Sequence, residues 1–187
     1  MDVEKKTRQL LAEYNLSDQD VLEKFEFRDI EHSEIKQVVM IEQICFPPNE
    51  ACSEESMIKR IEAAQDLFLV AVDRNTGKVA GFLNGIATDE DRFRDAFFTD
   101  ARLHNPKGRT IMLLGLDVLP AYQRQGLGRE LVYQYLRRER EKCRKEVVLT
   151  CLEPKVNMYQ KFGFVDRGIA NSTWGGEEWH EMSCILE

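Results

Sequence analysis

Hydrophobic and polar positions change period several times along the chain, and each change marks an element. From Ile111 to Leu119 nine residues carry one charge, Asp117, and the run ends at Pro120. A continuous apolar run of this length predicts a strand covered on both faces rather than an alternating edge strand. A polar turn, Pro120 to Gln125, follows, and then Leu127, Leu131, Tyr135 and Leu136 recur at helical spacing. Arg129, Glu130, Arg137 and Arg138 fall on the opposite side, so an amphipathic helix is expected to start near Gly126.

The rest of the chain divides in the same way. Val3 to Tyr14 reads as a short helix, broken at Asn15-Leu16-Ser17, and Phe25 to Ile30 alternates as a first strand. Ser33 is the expected cap of a helix with Ile35, Val38, Val39 and Ile41 to Ile44 on its apolar face. That helix ends by Phe46, because Pro47-Pro48 cannot continue it. Ser53-Glu54-Glu55-Ser56 opens a second helix running through Ala64. Leu67 to Asp73 and Lys78 to Ala87 are strands joined by the hairpin turn Arg74-Asn75-Thr76-Gly77.

Thr88 to Arg109 is long for a connection, and Phe93, Phe97 and Phe98 predict a helical piece lying on the body through its aromatic face. Glu146 to Cys151 is a short buried strand, and Pro154 to Phe162 a helix ended by Gly163. Phe164 to Ile169 and Glu178 to Ile185 are the last strands, with a loop between them that carries Trp174. The fold class is mixed α/β. A helical extension over residues 1–24 precedes one domain over 25–187.

Composition narrows the function classes. Hydrophobic residues make up 43% of the 187 and charged residues 32%, as in ordinary globular domains. The formal net charge of −7 gives no basic footprint for nucleic acid or an anionic membrane. An acidic surface favours cationic partners, or serves solubility alone. The N-terminus shows no long apolar run, so no signal peptide or membrane span is expected, and a cytoplasmic protein is. The five cysteines are scattered, the three histidines lie far apart, and neither set has metal-ligand spacing. Reduced thiols and no metal are the expectation.

The candidate chemistry lies at the strand-to-helix junction, Gln123-Arg124-Gln125-Gly126-Leu127-Gly128. The two glycines let a ligand come close to the main chain, and the first amides of a helix favour an anion. The junction lacks the Lys-Ser/Thr of a P-loop and the third glycine and spaced acid of a dinucleotide fingerprint. Packing alone also accounts for its glycines. The Gln-x-x-Gly-x-Gly pattern resembles the acetyl-CoA pyrophosphate loop of the GNAT N-acetyltransferases. Asn157-Met158-Tyr159-Gln160-Lys161-Phe162-Gly163-Phe164 resembles that superfamily's late helix and its Tyr-x-x-x-Gly-Phe ending. From about Ile41 to Leu186 the chain resembles the arylalkylamine (serotonin-type) branch. The supporting stretches are Asp89-Glu90-Asp91-Arg92, Leu103-His104-Asn105-Pro106-Lys107-Gly108 and Trp179-His180-Glu181-Met182-Ser183-Cys184.

The resemblance implies a GNAT fold: a mostly antiparallel sheet, fourth and fifth strands splayed apart, helices on both faces. It implies that amides of Gln123, Arg124, Gln125, Gly126, Leu127, Gly128 and Arg129 hold the pyrophosphate of acetyl-CoA. Leu116, Asp117 and Val118 would pair with the pantetheine arm, and Asn157 completes the cosubstrate set. Tyr159 falls on the tyrosine that protonates the departing thiolate; its alternative is a core aromatic. The branch's His-x-His pair on the fourth strand, which relays the amine's proton, is replaced here by Met112 and Leu114, which carry no protons. Substitutes are Glu50, Asp89, Glu90, His104, Asp117 and His180, each also readable as a solvated surface group, or a chain of waters.

The expected activity is acetyl transfer from acetyl-CoA to a small primary amine, arylalkylamine- or polyamine-like, by direct attack in a ternary complex. Phe46, Pro47, Glu50, Trp174 and Trp179 would bind the amine in a monomer or homodimer. A protein N-terminal or lysine acetyltransferase and a non-catalytic acyl-CoA-binding module are the alternatives.

Overall fold

The computed structural model describes residues 18–187, so the helix expected over Val3 to Tyr14 lies outside the described residues. The described chain opens with α1 (Gln19–Lys24), whose cap Asp18 accepts from the Asp20 amide, and passes directly into β1 (Phe25–Asp29). Ser33 does not cap the next helix. A single 3₁₀ turn (His32–Glu34) precedes α2 (Ile35–Cys45), and Glu31 and Glu34 form a reciprocal capping box across that turn. The reason is local: Arg28 grips the Glu34 carboxylate at 2.7 and 3.0 Å, which aims it at the Glu31 amide 2.8 Å away. A fixed carboxylate takes the place expected of the Ser33 hydroxyl.

Phe46 closes α2 ahead of the two prolines, and Ser53 caps α3 (Glu54–Ala63) by accepting from the Ser56 amide at 3.2 Å. β2 (Phe68–Asp73) and β3 (Val79–Thr88) form the expected hairpin and are buried at every residue. The charged connection that follows carries a short helix, α4 (Ala96–Thr99), and a 3₁₀ turn (Ala101–Leu103), with Phe93 and Phe97 buried edge to face, 5.8 Å between centroids. β4 (Thr110–Val118), α5 (Leu127–Glu141), β5 (Glu146–Cys151), α6 (Glu153–Lys161), β6 (Val165–Ile169) and β7 (His180–Ile185) complete the chain.

The seven strands form one sheet in the order β1-β2-β3-β4-β5-β7-β6. Every neighbouring pair is antiparallel except β4 and β5. On one side Val70, Val72, Phe82, Val38, Ile41, Met57 and Ile61 pack together, joining the sheet to α2 and α3. The other, larger cluster joins Leu69, Ala71 and Leu83 to Leu127, Leu131, Tyr135 and Leu136 of α5. These are the apolar positions that the helical spacing picked out; each buried leucine contributes about 1.5–3 kcal/mol.

Two irregularities position the site. β4 pairs with β5 only through Thr110, Ile111 and Met112, although both strands continue. β5 stays paired with β7 along its whole length, so the two central strands fork beyond Met112. Just there, β4 bulges: Asn84 faces Gly115 while its neighbour Gly85 faces Leu113, leaving Leu114 as the extra residue. The fork leaves the main chain of β4 from Leu113 to Val118 without a β5 partner.

Candidate active site

The end of β4 leads through a 3₁₀ turn (Pro120–Tyr122) into the glycine-bearing junction. Arg124 has φ +58° and Gly126 φ +84°, and Gly126 is the N-cap of the 15-residue α5. Left-handed residues in quick succession curl the main chain so that amides point into one concavity, which with the helix dipole favours an anion. The turn is braced from below: Gln123 Nε2 donates to the Val118 carbonyl at 2.9 Å, and Gln125 Nε2 to the Ala121 carbonyl at 3.0 Å. α1 packs on it. Lys24 Nζ donates to Gln125 Oε1 at 2.8 Å and lies 5.4 Å from the centre of the Tyr122 ring. Lys24 brings a cation to the junction from a distant part of the chain, and the local pattern carried no signal of it. The structure thus gathers Gln123, Arg124, Gln125, Gly126, Leu127, Gly128 and Arg129 into one turn beside the open edge of Leu116, Asp117 and Val118. Asn157 is exposed on α6.

Across the fork, Pro154 in the first turn and Phe162 at the cap bound α6, which carries Tyr159. The Tyr159 ring meets Phe162 and Phe164 edge to face, at 6.0 and 5.7 Å between centroids. Burial, and then the neighbouring Cys151 and Asp117, push its hydroxyl well above the usual phenol range. A phenol held in that state keeps its proton at neutral pH and is a donor toward a developing anion.

The five residues expected to wall the amine divide into two groups. Glu50, Trp174 and Trp179 are joined: the Trp174 indole N–H donates to the Glu50 carbonyl at 3.0 Å, and that of Trp179 to the Trp174 carbonyl at 2.9 Å. Trp174 also packs on Phe98, 4.9 Å between centroids. Asn49 Nδ2 donates to the Gly175 carbonyl at 3.0 Å, and Asp95 accepts from the Ser172 hydroxyl and, at 3.2 Å, from the Thr173 amide. Three loops distant in sequence are therefore one unit. Asn49, Asp95 and Ser172 hold it, and nothing in the local sequence set them apart from ordinary loop residues. Trp179 is buried at the head of β7 and anchors Trp174 through that bond. Phe46 and Pro47 leave α2 beside the fork, because Cys45 Sγ donates to the Val118 carbonyl at 3.3 Å.

The acids and histidines considered as bases meet different fates. Glu90 is gripped by Arg94 through two bonds, at 2.6 and 2.7 Å, and Asp89 accepts from Asn105 at 3.1 Å. His104 Nδ1 accepts from the Ala87 amide at 3.0 Å, and burial lowers its pKa, so it is a neutral brace. His180 faces Asp166 at 3.1 Å. Burial and the charge of Glu177 raise Glu50. Asp117 is not a solvated surface group: it is fully buried, below α2, because the bulge at Leu114 turns its side chain to the face where α2 and α3 pack. Burial first, and then the adjacent Glu42 carboxylate, push Asp117 well above the usual carboxylate range.

Comparison with known proteins bears on the fold and the family. A serotonin N-acetyltransferase from Mesocricetus auratus is 32% identical over 111 residues, 59% of this chain and 52% of that protein. The chain thus matches about half the length of that relative. The loading GNATL domain of CurA from Lyngbya majuscula superposes with a TM-score of 0.74 at 16% identity, over 87% of this chain and 98% of that one. A GphF GNAT-like decarboxylase in complex with isobutyryl-CoA superposes with a TM-score of 0.72 at 18% identity, covering 87% and 100%. These two likenesses concern the fold. The model of the acetyltransferase (GNAT) family matches residues 35–164, from the first residue of α2 to just beyond the Tyr159 helix, and the chain belongs to that family.

Proposed function

We propose that the protein transfers the acetyl group of acetyl-CoA to the primary amine of a small molecule. The observation that carries this reading is the fork: an unpaired β4 edge, the anion-accepting turn at its end and a protonated tyrosine on the facing helix. Leu116, Asp117 and Val118 line the edge that takes the pantetheine arm as an added strand, the Val118 carbonyl excepted because Gln123 and Cys45 already donate to it, and amides from Gln123 to Arg129 receive the pyrophosphate. The residues fit the cosubstrate, since the turn has positive φ values and an adjacent cation, Lys24, both of which favour a pyrophosphate. A GNAT-like relative in complex with isobutyryl-CoA supports an acyl-CoA in this fold, and a serotonin N-acetyltransferase relative supports an amine acceptor.

In the reaction the neutral amine attacks the thioester carbonyl carbon while main-chain amides near Leu116 stabilise the oxyanion. The C–S bond then breaks, the Tyr159 hydroxyl gives its proton to the leaving sulfur, and the surplus proton on the acylated nitrogen leaves and restores Tyr159 through solvent. Phe46, Pro47 and Trp174 wall the amine, with Glu50 supplying charge for its cation. Acetyl-CoA and a panel of aralkyl amines and polyamines, with a thiol reagent reporting free CoA, test this directly. Amine-dependent thiol release is expected, and Tyr159→Phe lowers kcat by about 10²-fold with acetyl-CoA affinity unchanged. CoA binding without turnover on any amine or peptide would favour a non-catalytic acyl-CoA-binding module. Turnover on peptides alone would favour a protein acetyltransferase.

A further inference from the structure

Met112 and Leu114 leave β4 with no side chain able to take a proton where the arylalkylamine branch carries histidines, yet the same strand buries a carboxyl a few residues further on. Asp117 is fully buried and Asn84 nearly so, and neither side chain finds a donor among the described residues. Unpartnered buried polar groups cost about 1–3 kcal/mol each, so a pair of them on one patch of sheet calls for a ligand or a proton. They converge on a single place. A Cβ added to Gly115 would lie 3.1 Å from Asp117 Oδ1, 3.3 Å from Asn84 Oδ1 and 3.7 Å from Glu42 Oε2. The space beside Gly115 is therefore bounded by three oxygens, two of them carboxylate, and is polar enough to hold a water. Glu42 is buried too, and its other oxygen accepts from the Cys52 amide at 2.9 Å.

The groups facing this patch come from every element packed on it. Glu42 and Cys45 project from α2, Cys52 from the loop after it and Arg60 from α3; Asp117 also acts on the Tyr159 hydroxyl of α6. Arg60 is directed elsewhere, its Nη2 donating to the Phe98 carbonyl at 2.8 Å. Two ionised carboxylates only accept, so Asp117 and Glu42 can bond to each other only when one carries a proton. Side by side in so dry a place, they cannot both remain ionised.

We propose that Asp117 and Glu42 share one proton beside Gly115, and that this pair accepts the proton given up by the amine during acetyl transfer. Gly115 adjoins Leu116, where the thioester is expected, and water in the space beside Gly115 is the link between the amine and the pair. The ammonium gives a proton through that water to the carboxylate of the pair, and the neutral amine forms the N–C bond. The C–S bond breaks, sulfur takes the Tyr159 proton, the acylated nitrogen sheds its second proton and so reprotonates Tyr159 through solvent, and the pair returns its own extra proton to solvent. The net products are the N-acetyl amine, CoA thiol and one proton.

The proposal rests on the acetyl-transfer reading, and two measurements separate them. Asp117→Asn and Glu42→Gln keep the shape of each side chain, and the side-chain carbonyl that Glu42→Gln introduces still accepts from the Cys52 amide. With a strongly basic amine at neutral pH, either variant should lose about 10²-fold in kcat/KM and lose the acidic limb of its pH profile. With a weakly basic aromatic amine, already neutral, the deficit should largely vanish. An equal deficit for both amines, or none for either, overturns the proposal. Independently of turnover, the infrared band of a protonated carboxyl should be present in the wild type at neutral pH and absent in Asp117→Asn. A wild type that acetylates amines but lacks the band refutes the shared proton alone. A wild type with the band that acetylates nothing refutes acetyl transfer, and proton uptake with it.

Discussion

Asp117 has a second consequence, for stability. Its pKa in the folded chain is raised above the unfolded value of 3.8 by burial and by Glu42. The folded state therefore keeps a proton that the unfolded chain gives up. The stability this contributes is complete below about pH 4 and is lost as pH rises toward the folded pKa. Asp117→Asn removes the ionisation, so its unfolding free energy should decline less than the wild type's between about pH 4 and neutral pH, as read from denaturant titrations. Curves that stay parallel over that range would show that Asp117 is not held protonated. The thiols give a related contrast: burial pushes Cys45, Cys151 and Cys184 to about 12 and Cys52 to about 11, while Cys143 is exposed. What the residue types revealed at this scale was uneven. Tyr159 and Gly126 stood in recognisable local patterns. Asp117 did not, because its burial depends on a one-residue bulge in β4 and on α2 arriving from a distant part of the chain.

At the scale of the element, α5 shows a clear start and an unexpected stop. Gly126 occupies a left-handed N-cap, where a side chain is strained whatever the space around it. Gly126→Val should weaken acetyl-CoA binding by about tenfold or more in calorimetric titration, since tilting the first amides away removes charge-assisted bonds of roughly 1.5–3 kcal/mol. An unchanged affinity would remove the turn from the cosubstrate site. At the other end the Cys143 amide donates to the Arg140 carbonyl, and the Arg144 amide to the Glu139 carbonyl at 3.0 Å. That is the bond pattern of a helix stop that prefers glycine, yet Cys143 sits there at φ +60°. Cys143→Gly should raise stability by about 1 kcal/mol in urea unfolding, because it relieves left-handed strain at an exposed site. A loss of stability would mean the thiol contributes more than the strain costs. Periodicity located most elements to within a residue or two. It misplaced the start of α2, where Arg28 fixes Glu34 through space and so overrides the more familiar serine cap.

For the molecule as a whole, function follows from one sheet that fails to close. β4 and β5 share three residue pairs and then part, because β7 holds β5 on its far side while the bulge turns β4 away. The order of strands and helices was legible from hydrophobic periodicity, and the splay entered as an implication of the GNAT resemblance. The loop unit of Asn49, Asp95, Ser172 and Trp174 was not legible, since hydrogen bonds between distant loops leave no period in a sequence. The central claim is that the fork holds the acyl-CoA, and an amide NMR titration of the protein with CoA addresses it most directly. The largest shifts are expected at the amides of Leu116, Asp117 and Val118 and of Gln123 through Arg129, saturating together with one affinity. Shifts confined to other surfaces, with these amides unmoved, would contradict it.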